Sequence, residues 1–456
     1  MPVFDAERFA AWSGGRWDPC APASILGVSN NTRDLAPGAL YVAIAGERFD
    51  GHTFVADAFE KGAAGAMIAD ASELRGTDAQ PLLRVEDTVS ALGLIARAYR
   101  RQVGAVAIGV TGSVGKTTVK EMTATILAQA MPTARTRGNW NNEIGLPLSV
   151  LAMEDDSRVG VFELGMNHPG EIGSLCDVLE PQWGVITTIG PVHIEFFDSV
   201  EAIACEKAAL LDALPADGHV VLCKDDPYFD LLRGHVGCQL HTVSLSEAAD
   251  YTVNFTPTSA RLDIAETENG KGLSISWPWP GTHNAVNAGL AVAVAREMGL
   301  AWDVIERGLN AYLPLPMRWE VVDANDLKIV NDAYNANPLS MRAAIGAFEE
   351  MPVAGSKWLV LGDMQELGKH AEHEHFSLGA FVASGPWQGL VAVGALGEVI
   401  AAGACRCGFA ESQIWTCETN AGAVSVLKRE MRSGDAVLLK ASRGVALEEV
   451  VNGLRE

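Results

Sequence analysis

The strongest chemical signal in the sequence is a glycine-rich segment, Thr111–Thr118, which reads Thr-Gly-Ser-Val-Gly-Lys-Thr-Thr. Its glycines let backbone N–H groups close around phosphate oxygens, and the lysine and first threonine that follow suit a β/γ-phosphate and Mg²⁺. The usual pattern has one more glycine, where this chain has Val110. The segment predicts ATP binding, with an ordinary glycine-rich turn as the alternative. The candidate nucleotide-binding residues are Gly112, Ser113, Val114, Gly115, Lys116, Thr117 and Thr118.

The elements around this segment must hold it at the edge of a sheet. Residues 105–110 are small and apolar, which predicts a buried parallel strand, and a helical pattern follows from Val119. Strand-like runs at 158–164, 183–189 and 218–223 alternate with helical patterns, which predicts a mostly parallel α/β sheet. In such sheets ligands bind beyond the C-terminal ends of the strands.

Polar side chains at those strand ends are the next candidates. Glu163 ends a predicted strand at the same edge as the glycine-rich segment, so we predict that it binds Mg²⁺. His193 follows another strand, although a single histidine there is more often structural. Lys207 lies in the helical stretch 200–214 and, on sequence alone, resembles a solvated lysine.

Two further α/β segments flank the predicted sheet. Residues 1–86 contain strand patterns at 39–44 and 66–69 and polar loops around Asn31 and Asp50. Residues 315–456 form a Rossmann-like set of strands and helices without a G-x-G-x-x-G motif, so we expect no dinucleotide there. The segment His370–His375 is rich in histidine and glutamate, but we interpret it as a solvated helix start rather than a metal site.

Composition narrows the class of protein. The chain has 456 residues and a net charge of −23, which argues against nucleic acid or an anionic membrane as partner. No apolar run is long enough to cross a membrane, and the N-terminus lacks a signal-peptide pattern. Eight scattered cysteines suggest neither disulfides nor a zinc site. We therefore expect a cytoplasmic protein that is not inserted in a membrane.

Several segments in the same order resemble the Mur ligase family of peptidoglycan synthesis. They are Thr111–Thr118, Gly138–Ser149, Glu163–His168, Gly281–Asn287 and the pair Met317–Arg318. The segment Asn331–Pro338, which reads Asn-Asp-Ala-Tyr-Asn-Ala-Asn-Pro, resembles the branch of the family that adds D-alanyl-D-alanine. The polar loops near Asn31 and Asp50 are similar to the UDP-binding domain of that branch.

The resemblance implies three α/β domains and one reaction. The domains would be a UDP-substrate domain at 1–86, a P-loop ATPase domain at 87–314 and a Rossmann-like domain for the amine at 315–456. The reaction would join UDP-MurNAc-tripeptide to D-alanyl-D-alanine through an acyl phosphate, with ATP and two Mg²⁺ ions. We also expect a monomer. The resemblance does not say whether the third peptide residue is lysine or diaminopimelate.

Residue roles follow from the same resemblance. Lys116, Glu163, His193 and Lys207 would be catalytic, with Thr117 and Glu163 at one Mg²⁺, and His193 and N-carboxylated Lys207 at a second. Further contacts to ATP would come from Asn284, Asn287, Arg318 and Asp332. The residues that would contact the two other substrates are Asn31, Thr32, Arg33, Asp50, Gly51, His52, Asn139, Asn141, Asn142, Tyr334, Asn335, Asn337, Ser442 and Arg443.

Two other functions remain open at this point. Another Mur-type or folylpolyglutamate-type ligase would share the ATPase domain, although the 331–338 segment and the long N-terminal region count against it. A nucleotide-binding regulatory module would bind ATP without chemistry, and Glu163 and His193 argue against that class.

Overall fold

The computed structural model of the protein describes residues 2–46, 49–70, 79–246 and 248–456. Within them the strands form three main sheets, from residues 16–85, 106–276 and 320–440, and one small β-ladder. The prediction of three α/β domains is confirmed. Parts of the predicted first domain lie outside the described residues: residue 1, residues 47–48 in the polar loop near Asp50, and residues 71–78.

The first domain has a five-stranded sheet in the order β2-β7-β6-β5-β4, which is parallel except between β2 and β7, and a separate antiparallel ladder of β1 and β3. Its strands and helices are β1 (Val3–Phe4), α1 (Ala6–Ser13), β2 (Arg16–Asp18), β3 (Ile25–Leu26), β4 (Val28–Ser29), β5 (Leu40–Val42), a 3₁₀ turn (Gly51–Phe54), α2 (Val55–Glu60), β6 (Gly65–Ala69) and β7 (Leu82–Val85).

A long helix, α3 (Thr88–Val103), leads from this sheet into the central domain. The Asp87 side chain accepts a hydrogen bond from Ser90 N–H at its start, and Gly104, with φ 70°, ends it. These are the N-cap and the left-handed C-terminal glycine that helices favour. Both ends of α3 are therefore determined by local sequence.

The central domain has nine strands in the order β16-β15-β14-β13-β12-β11-β8-β10-β9, parallel from β9 to β14 and then antiparallel. Its elements are β8 (Val106–Thr111), α4 (Lys116–Leu127), β9 (Thr133–Arg135), α5 (Gly145–Leu151), β10 (Val159–Glu163), α6 (Glu171–Leu179), β11 (Trp183–Ile186), a 3₁₀ turn (Ile194–Phe196), α7 (Val200–Asp212), β12 (His219–Cys223), α8 (Phe229–Gly234), β13 (Gln239–Ser244), β14 (Tyr251–Thr256), a 3₁₀ turn (Pro257–Ser259), β15 (Arg261–Glu266), β16 (Gly272–Ser276), α9 (Thr282–Glu297) and α10 (Trp302–Ala311).

The C-terminal domain has six strands in the order β17-β18-β22-β19-β20-β21, parallel except between β17 and β18. Its elements are β17 (Glu320–Ala324), β18 (Leu327–Asn331), α11 (Pro338–Glu350), β19 (Lys357–Gly362), a 3₁₀ turn (Gly368–His370), α12 (Ala371–Val382), β20 (Gly389–Val393), α13 (Gly397–Arg406), a 3₁₀ turn (Glu411–Gln413), β21 (Ile414–Cys417), α14 (Asn420–Glu430), β22 (Ala436–Lys440), a 3₁₀ turn (Arg443–Val445) and α15 (Glu448–Arg455).

The core of the central domain explains why β8 carries the glycine-rich loop. Five of its six residues are buried, because β10 and β11 flank it and helices cover both faces. Helix α9 packs against α4, and a Cβ added at Gly289 would come within 2.5 Å of Val253 Cγ2. The loop after β8 therefore starts from a rigid strand.

Two features of the central domain differ notably from the sequence predictions. The helix after the glycine-rich loop begins at Lys116, not at Val119. Strands β13 to β16 were not predicted, although β14 to β16 carry the alternation of buried and exposed residues that would have indicated them.

The interpretation of 370–375 as a solvated helix start is wrong for His375. Its side chain is buried, with Nε2 accepting from Met364 N–H at 2.9 Å and Nδ1 donating to the Ala371 carbonyl at 2.6 Å. This histidine ties α12 to the segment after β19.

Candidate active site

The glycine-rich loop forms the floor of the site. Gly112 has φ 143°, and a Cβ there would lie 2.0 Å from Thr187 Oγ1, so only glycine fits. Gly115, with φ 91°, precedes the first residue of α4 and leaves the helix N-terminus open towards the loop. Such an N-terminus presents free backbone N–H groups and partial positive charge to a phosphate.

Lys116 closes over this loop. Its Nζ donates to the Gly112 carbonyl at 2.8 Å and to the Ser113 carbonyl at 3.4 Å. Burial lowers the pKa of Lys116 and nearby Arg318 lowers it further, whereas Glu163 opposes both. The ammonium is thus held beside the place where the loop would receive a negatively charged phosphate.

Glu163 and Thr117 place three oxygen atoms together behind the loop. Thr117 Oγ1 donates to Glu163 Oε2 at 2.8 Å, and Asn141 Nδ2 donates to Glu163 Oε1 at the same distance. The Thr136 hydroxyl accepts from Glu163 N–H at 2.9 Å and fixes the end of β10. A buried carboxylate beside a hydroxyl is a donor set that suits Mg²⁺, which takes few protein ligands and keeps waters and phosphate oxygens.

The second pair of predicted metal ligands has a different character. His193 has φ 57°, and its Nδ1 lies 2.6 Å from Glu366 Oε2 of the C-terminal domain. Lys207 on α7 is buried, and this burial lowers its pKa well below the usual value; the charge of Lys116 acts in the same direction. In the described part of the chain no three His, Cys, Asp or Glu side chains form a metal-binding group.

The C-terminal domain supplies the opposite wall. Asp332 accepts from Trp319 N–H at 3.0 Å and from Lys440 Nζ at 2.7 Å, and Lys440 also donates to the Asn335 carbonyl at 3.0 Å. The Arg318 guanidinium lies over the Tyr334 ring, 4.2 Å from its centre. These contacts fix the segment after β18 against the cleft.

The two domains enclose a cleft of about 740 Å³. The residues predicted from sequence that line it are Ser113, Val114, Gly115, Lys116, Thr117, Thr118, Asn139, Asn141, Asn142, Glu163, His193, Asn284, Asn287, Arg318, Asp332, Tyr334, Asn335 and Asn337. Gly112 and Lys207 are not part of this lining. The cleft thus brings together most of the nucleotide, metal and amine candidates.

Sequence reasoning missed some residues of the cleft. Trp140, Trp279, His283 and Lys440 all line it. His283 lies inside the Gly281–Asn287 segment that carried the family resemblance, so this segment could have identified it as a candidate. Burial lowers its pKa to about 4; Asp332 opposes that shift and Lys440 adds to it. Lys440 had no local signal, because its partner Asp332 is 108 positions away.

The predicted UDP-binding residues lie in the first domain, away from the cleft lining. Asn31 Oδ1 accepts from Arg33 N–H at 3.0 Å, and Thr32 hydrogen-bonds Asp57. Asp50 caps the turn at Gly51 by accepting from His52 N–H at 3.0 Å. Both predicted loops are thus internally hydrogen-bonded turns, with Asn31, Arg33 and Asp50 exposed.

Two predicted dipeptide contacts also lie outside the cleft lining. Ser442 is buried, and its hydroxyl accepts from Gln365 N–H at 2.9 Å. The Arg443 side chain is paired with Glu448. Both side chains hold the loop after β22 in place, and their contact with substrate stays a prediction.

Fold and site together define a P-loop nucleotide-binding protein whose cleft is completed by a second domain. No helix in the described ranges is long and apolar enough to cross a membrane. The chain matches three family descriptions in order: "Mur ligase family, catalytic domain" at 24–100, "Mur ligase middle domain" at 110–295 and "Mur ligase, glutamate ligase domain" at 317–443. These matches cover most of the sequence.

Individual relatives agree with the family matches. A Bacillus subtilis protein named UDP-N-acetylmuramoyl-tripeptide--D-alanyl-D-alanine ligase is 38% identical over 95% of this chain and 93% of its own. The crystal structure of MurF from Acinetobacter baumannii superposes with a TM-score of 0.89 at 27% identity, covering 100% and 99% of the two chains. The crystal structure of MurF from Thermotoga maritima in complex with ADP superposes with a TM-score of 0.81 at 27% identity. The match covers 94% of this chain and 97% of that chain. The chain belongs to the Mur ligase family.

Proposed function

We propose that the protein is an ATP-dependent ligase that adds D-alanyl-D-alanine to UDP-MurNAc-tripeptide, giving UDP-MurNAc-pentapeptide, ADP and phosphate. The observation that carries the proposal is one cleft that joins a P-loop to the 331–338 segment of the C-terminal domain. The relatives of this chain that bear the corresponding enzyme name match it over nearly its full length. The proposed cellular role is peptidoglycan synthesis.

The chemistry begins with activation of an unreactive acid. A carboxylate is a poor electrophile, so the terminal carboxylate of the tripeptide attacks the γ-phosphorus of ATP and ADP leaves. Lys116 and the N–H groups at the start of α4 neutralise the charge on the transferring phosphoryl group. Asn284, Asn287 and Arg318 line the same cleft and would hold the rest of the nucleotide. The product of this step is an acyl phosphate.

Mg²⁺ would bind at Thr117 and Glu163, where it would neutralise phosphate charge. The oxygen atoms of these two side chains already lie together, which fits a hard cation. We also propose that Lys207 is N-carboxylated. Its buried amine has a strongly lowered pKa, so the neutral form is available to attack the carbon of CO₂ and release one proton. The resulting carbamate would supply the anionic ligand that a second cation beside His193 needs.

The amine step takes place on the C-terminal wall. Tyr334, Asn335 and Asn337 line the cleft opposite the P-loop and would hold the dipeptide. The free amine attacks the acyl carbon, phosphate leaves with one oxygen of the former carboxylate, and the amine loses a proton. Holding both reactants in one cleft supplies much of the rate. Asn139, Asn141 and Asn142, on the loop before α5, would face the peptide from the central domain.

Recognition of the UDP group would fall to the first domain. Asn31, Thr32, Arg33, Asp50, Gly51 and His52 lie in two hydrogen-bonded turns of this domain. We also propose a cytoplasmic monomer; all eight cysteines are free, as suits a reducing compartment.

The test supplies ATP, UDP-MurNAc-tripeptide and D-alanyl-D-alanine, with the third peptide residue as lysine or diaminopimelate, and measures product mass and phosphate. We expect phosphate release only with all three substrates present, and a product heavier by one dipeptide less water. Equal use of a single amino acid in place of the dipeptide would favour the other Mur-type or folylpolyglutamate-type ligases. ATP binding without any turnover would favour a regulatory module.

A further inference from the structure

A histidine–carboxylate pair joins the central and C-terminal domains beside the cleft. His193 Nδ1 lies 2.6 Å from Glu366 Oε2, and the two residues are 173 positions apart. Glu195 N–H also donates to the Glu366 carbonyl at 3.3 Å, so backbone and side chain of Glu366 contact the same turn. The contact therefore exists only while the two domains are docked.

The backbone at this contact is unusual on both sides. His193 has φ 57° and Glu366 has φ 60°, which is the left-handed region that residues with a Cβ disfavour. Such conformations persist where the surrounding structure holds them, and they cluster at functional sites. Here two such residues contact each other across a domain boundary.

The pair also fixes the chemistry of the imidazole. An ionised carboxylate can only accept hydrogen bonds. His193 Nδ1 therefore carries the ring proton and donates a hydrogen bond to Glu366 Oε2. In the neutral ring the remaining nitrogen, Nε2, then has its lone pair available. Metal-binding histidines commonly donate their other ring N–H to a carboxylate in this way, which sets ring orientation and basicity.

We propose that Glu366 is a positioning residue that orients His193 for a divalent cation and does so only when the C-terminal domain is docked. The inference rests on the proposed function, in which His193 is a ligand of a second ion. It makes completion of the metal site depend on the domain that carries the amine. Activation of the acid would then be linked to the arrival of the amine-binding wall.

The test counts Mn²⁺ ions by electron paramagnetic resonance titration with ADP and UDP-MurNAc-tripeptide present. The wild-type protein is expected to hold two ions. Glu366→Ala should weaken one of them 10- to 100-fold and leave the other, at Thr117 and Glu163, unchanged as an internal check on folding. Glu366→Gln should have a smaller effect, because its amide oxygen still accepts from Nδ1–H. Glu372→Gln, an exposed charge change on α12, is the matched control.

Kinetic measurements and a double variant with His193→Ala complete the test. Glu366→Ala should lower kcat and leave the KM for ATP within twofold of the wild-type value. In a His193→Ala background, Glu366→Ala should cause no further loss of Mn²⁺ binding, because the residue acts through the histidine. An additional loss there, or unchanged binding of the second ion in the single variant, overturns the inference.

The outcomes separate this inference from the proposed function. A wild-type protein that ligates the dipeptide but holds one Mn²⁺ ion contradicts the role of Glu366 and leaves the ligase proposal intact. A wild-type protein that makes no product with any substrate set contradicts the ligase proposal itself.

Discussion

The two regions proposed to bind substrates are built differently. In the cleft, Thr117 Oγ1 and Glu163 Oε2 lie 2.8 Å apart, and both side chains are buried. In the first domain, the exposed turns at Asn31 and Asp50 complete their own hydrogen bonds and leave their outer side chains to solvent. The cleft thus holds buried polar groups against one another, whereas the first domain offers exposed polar side chains.

The difference follows from what each region must do. Stabilising charge during phosphoryl transfer requires groups fixed in advance, since reorganising them during the reaction would raise the barrier. Holding a nucleotide-linked substrate requires affinity, which exposed polar side chains can supply. We therefore expect substitutions in the cleft to change kcat and substitutions in the first domain to change KM.

The largest effect is expected for Lys116→Ala. Turnover should fall at least about 10³-fold, because the charge that faces the transferring phosphoryl group is removed. Phosphate release measures the loss, and thermal unfolding checks that the fold is retained. Lys271→Ala, at an exposed position, is the control and should be fully active. Undiminished turnover in Lys116→Ala would contradict the role of this lysine in phosphoryl transfer.

Lys207→Met should lower kcat about 10²-fold, because methionine fills a similar volume and cannot be carboxylated. In the wild-type protein, ¹³CO₂ should give a carbamate carbon signal in the NMR spectrum that is absent from the variant. Since the amine is buried with a lowered pKa, the variant should be no less stable. An active variant, or the same signal in both proteins, contradicts N-carboxylation.

Arg33→Ala tests the other side of the comparison. Loss of a charged contact to the UDP group should raise the KM for UDP-MurNAc-tripeptide about tenfold. The kcat and the KM for ATP should stay the same, as both should in the exposed control Arg307→Ala. If kcat fell and KM did not change, the first domain would take part in the chemical step and the contrast between the regions would be wrong.

The smallest effect concerns pH. The pKa of His283 is about 4 in the folded protein, below its ordinary value near 6.5, so the unfolded chain binds more protons between these pH values. Stability from this group is present above pH 6.5 and is lost as pH falls towards 4, by on the order of 1 kcal/mol per pH unit. Urea unfolding from pH 4 to 7 should show a shallower pH slope for His283→Gln. Equal slopes in both proteins would contradict the lowered pKa of His283.

Local sequence was sufficient for much of this structure. The phosphate-binding loop could be predicted because strand, glycines, lysine and helix follow within 14 residues, from 105 to 118. The position of Glu163 next to this loop could be predicted because the residue ends a buried strand at the same edge of the sheet. The family resemblance added the three-domain order, which no single segment contains.

Contacts between distant segments could not be predicted in this way. The pairs His193 with Glu366 and Asp332 with Lys440 join residues more than a hundred positions apart. The first pair forms where the central and C-terminal domains pack together, and the second forms because β18 and β22 are neighbours in the C-terminal sheet. His375 shows the same limit, since its polar sequence neighbours suggest solvent whereas α12 turns it inward. Strands β14 to β16 are a different case, because their alternation of buried and exposed residues is a strand signal that the search for apolar runs did not use.

The measurement that tests the central claim most directly follows oxygen from the acid to the phosphate. The terminal carboxylate of UDP-MurNAc-tripeptide is labelled with ¹⁸O at both positions, and the protein is supplied with ATP, Mg²⁺ and D-alanyl-D-alanine. An acyl phosphate requires that each released phosphate carries one ¹⁸O atom and that the new amide keeps the other. Unlabelled phosphate beside a ligated product would contradict activation of the acid by phosphoryl transfer.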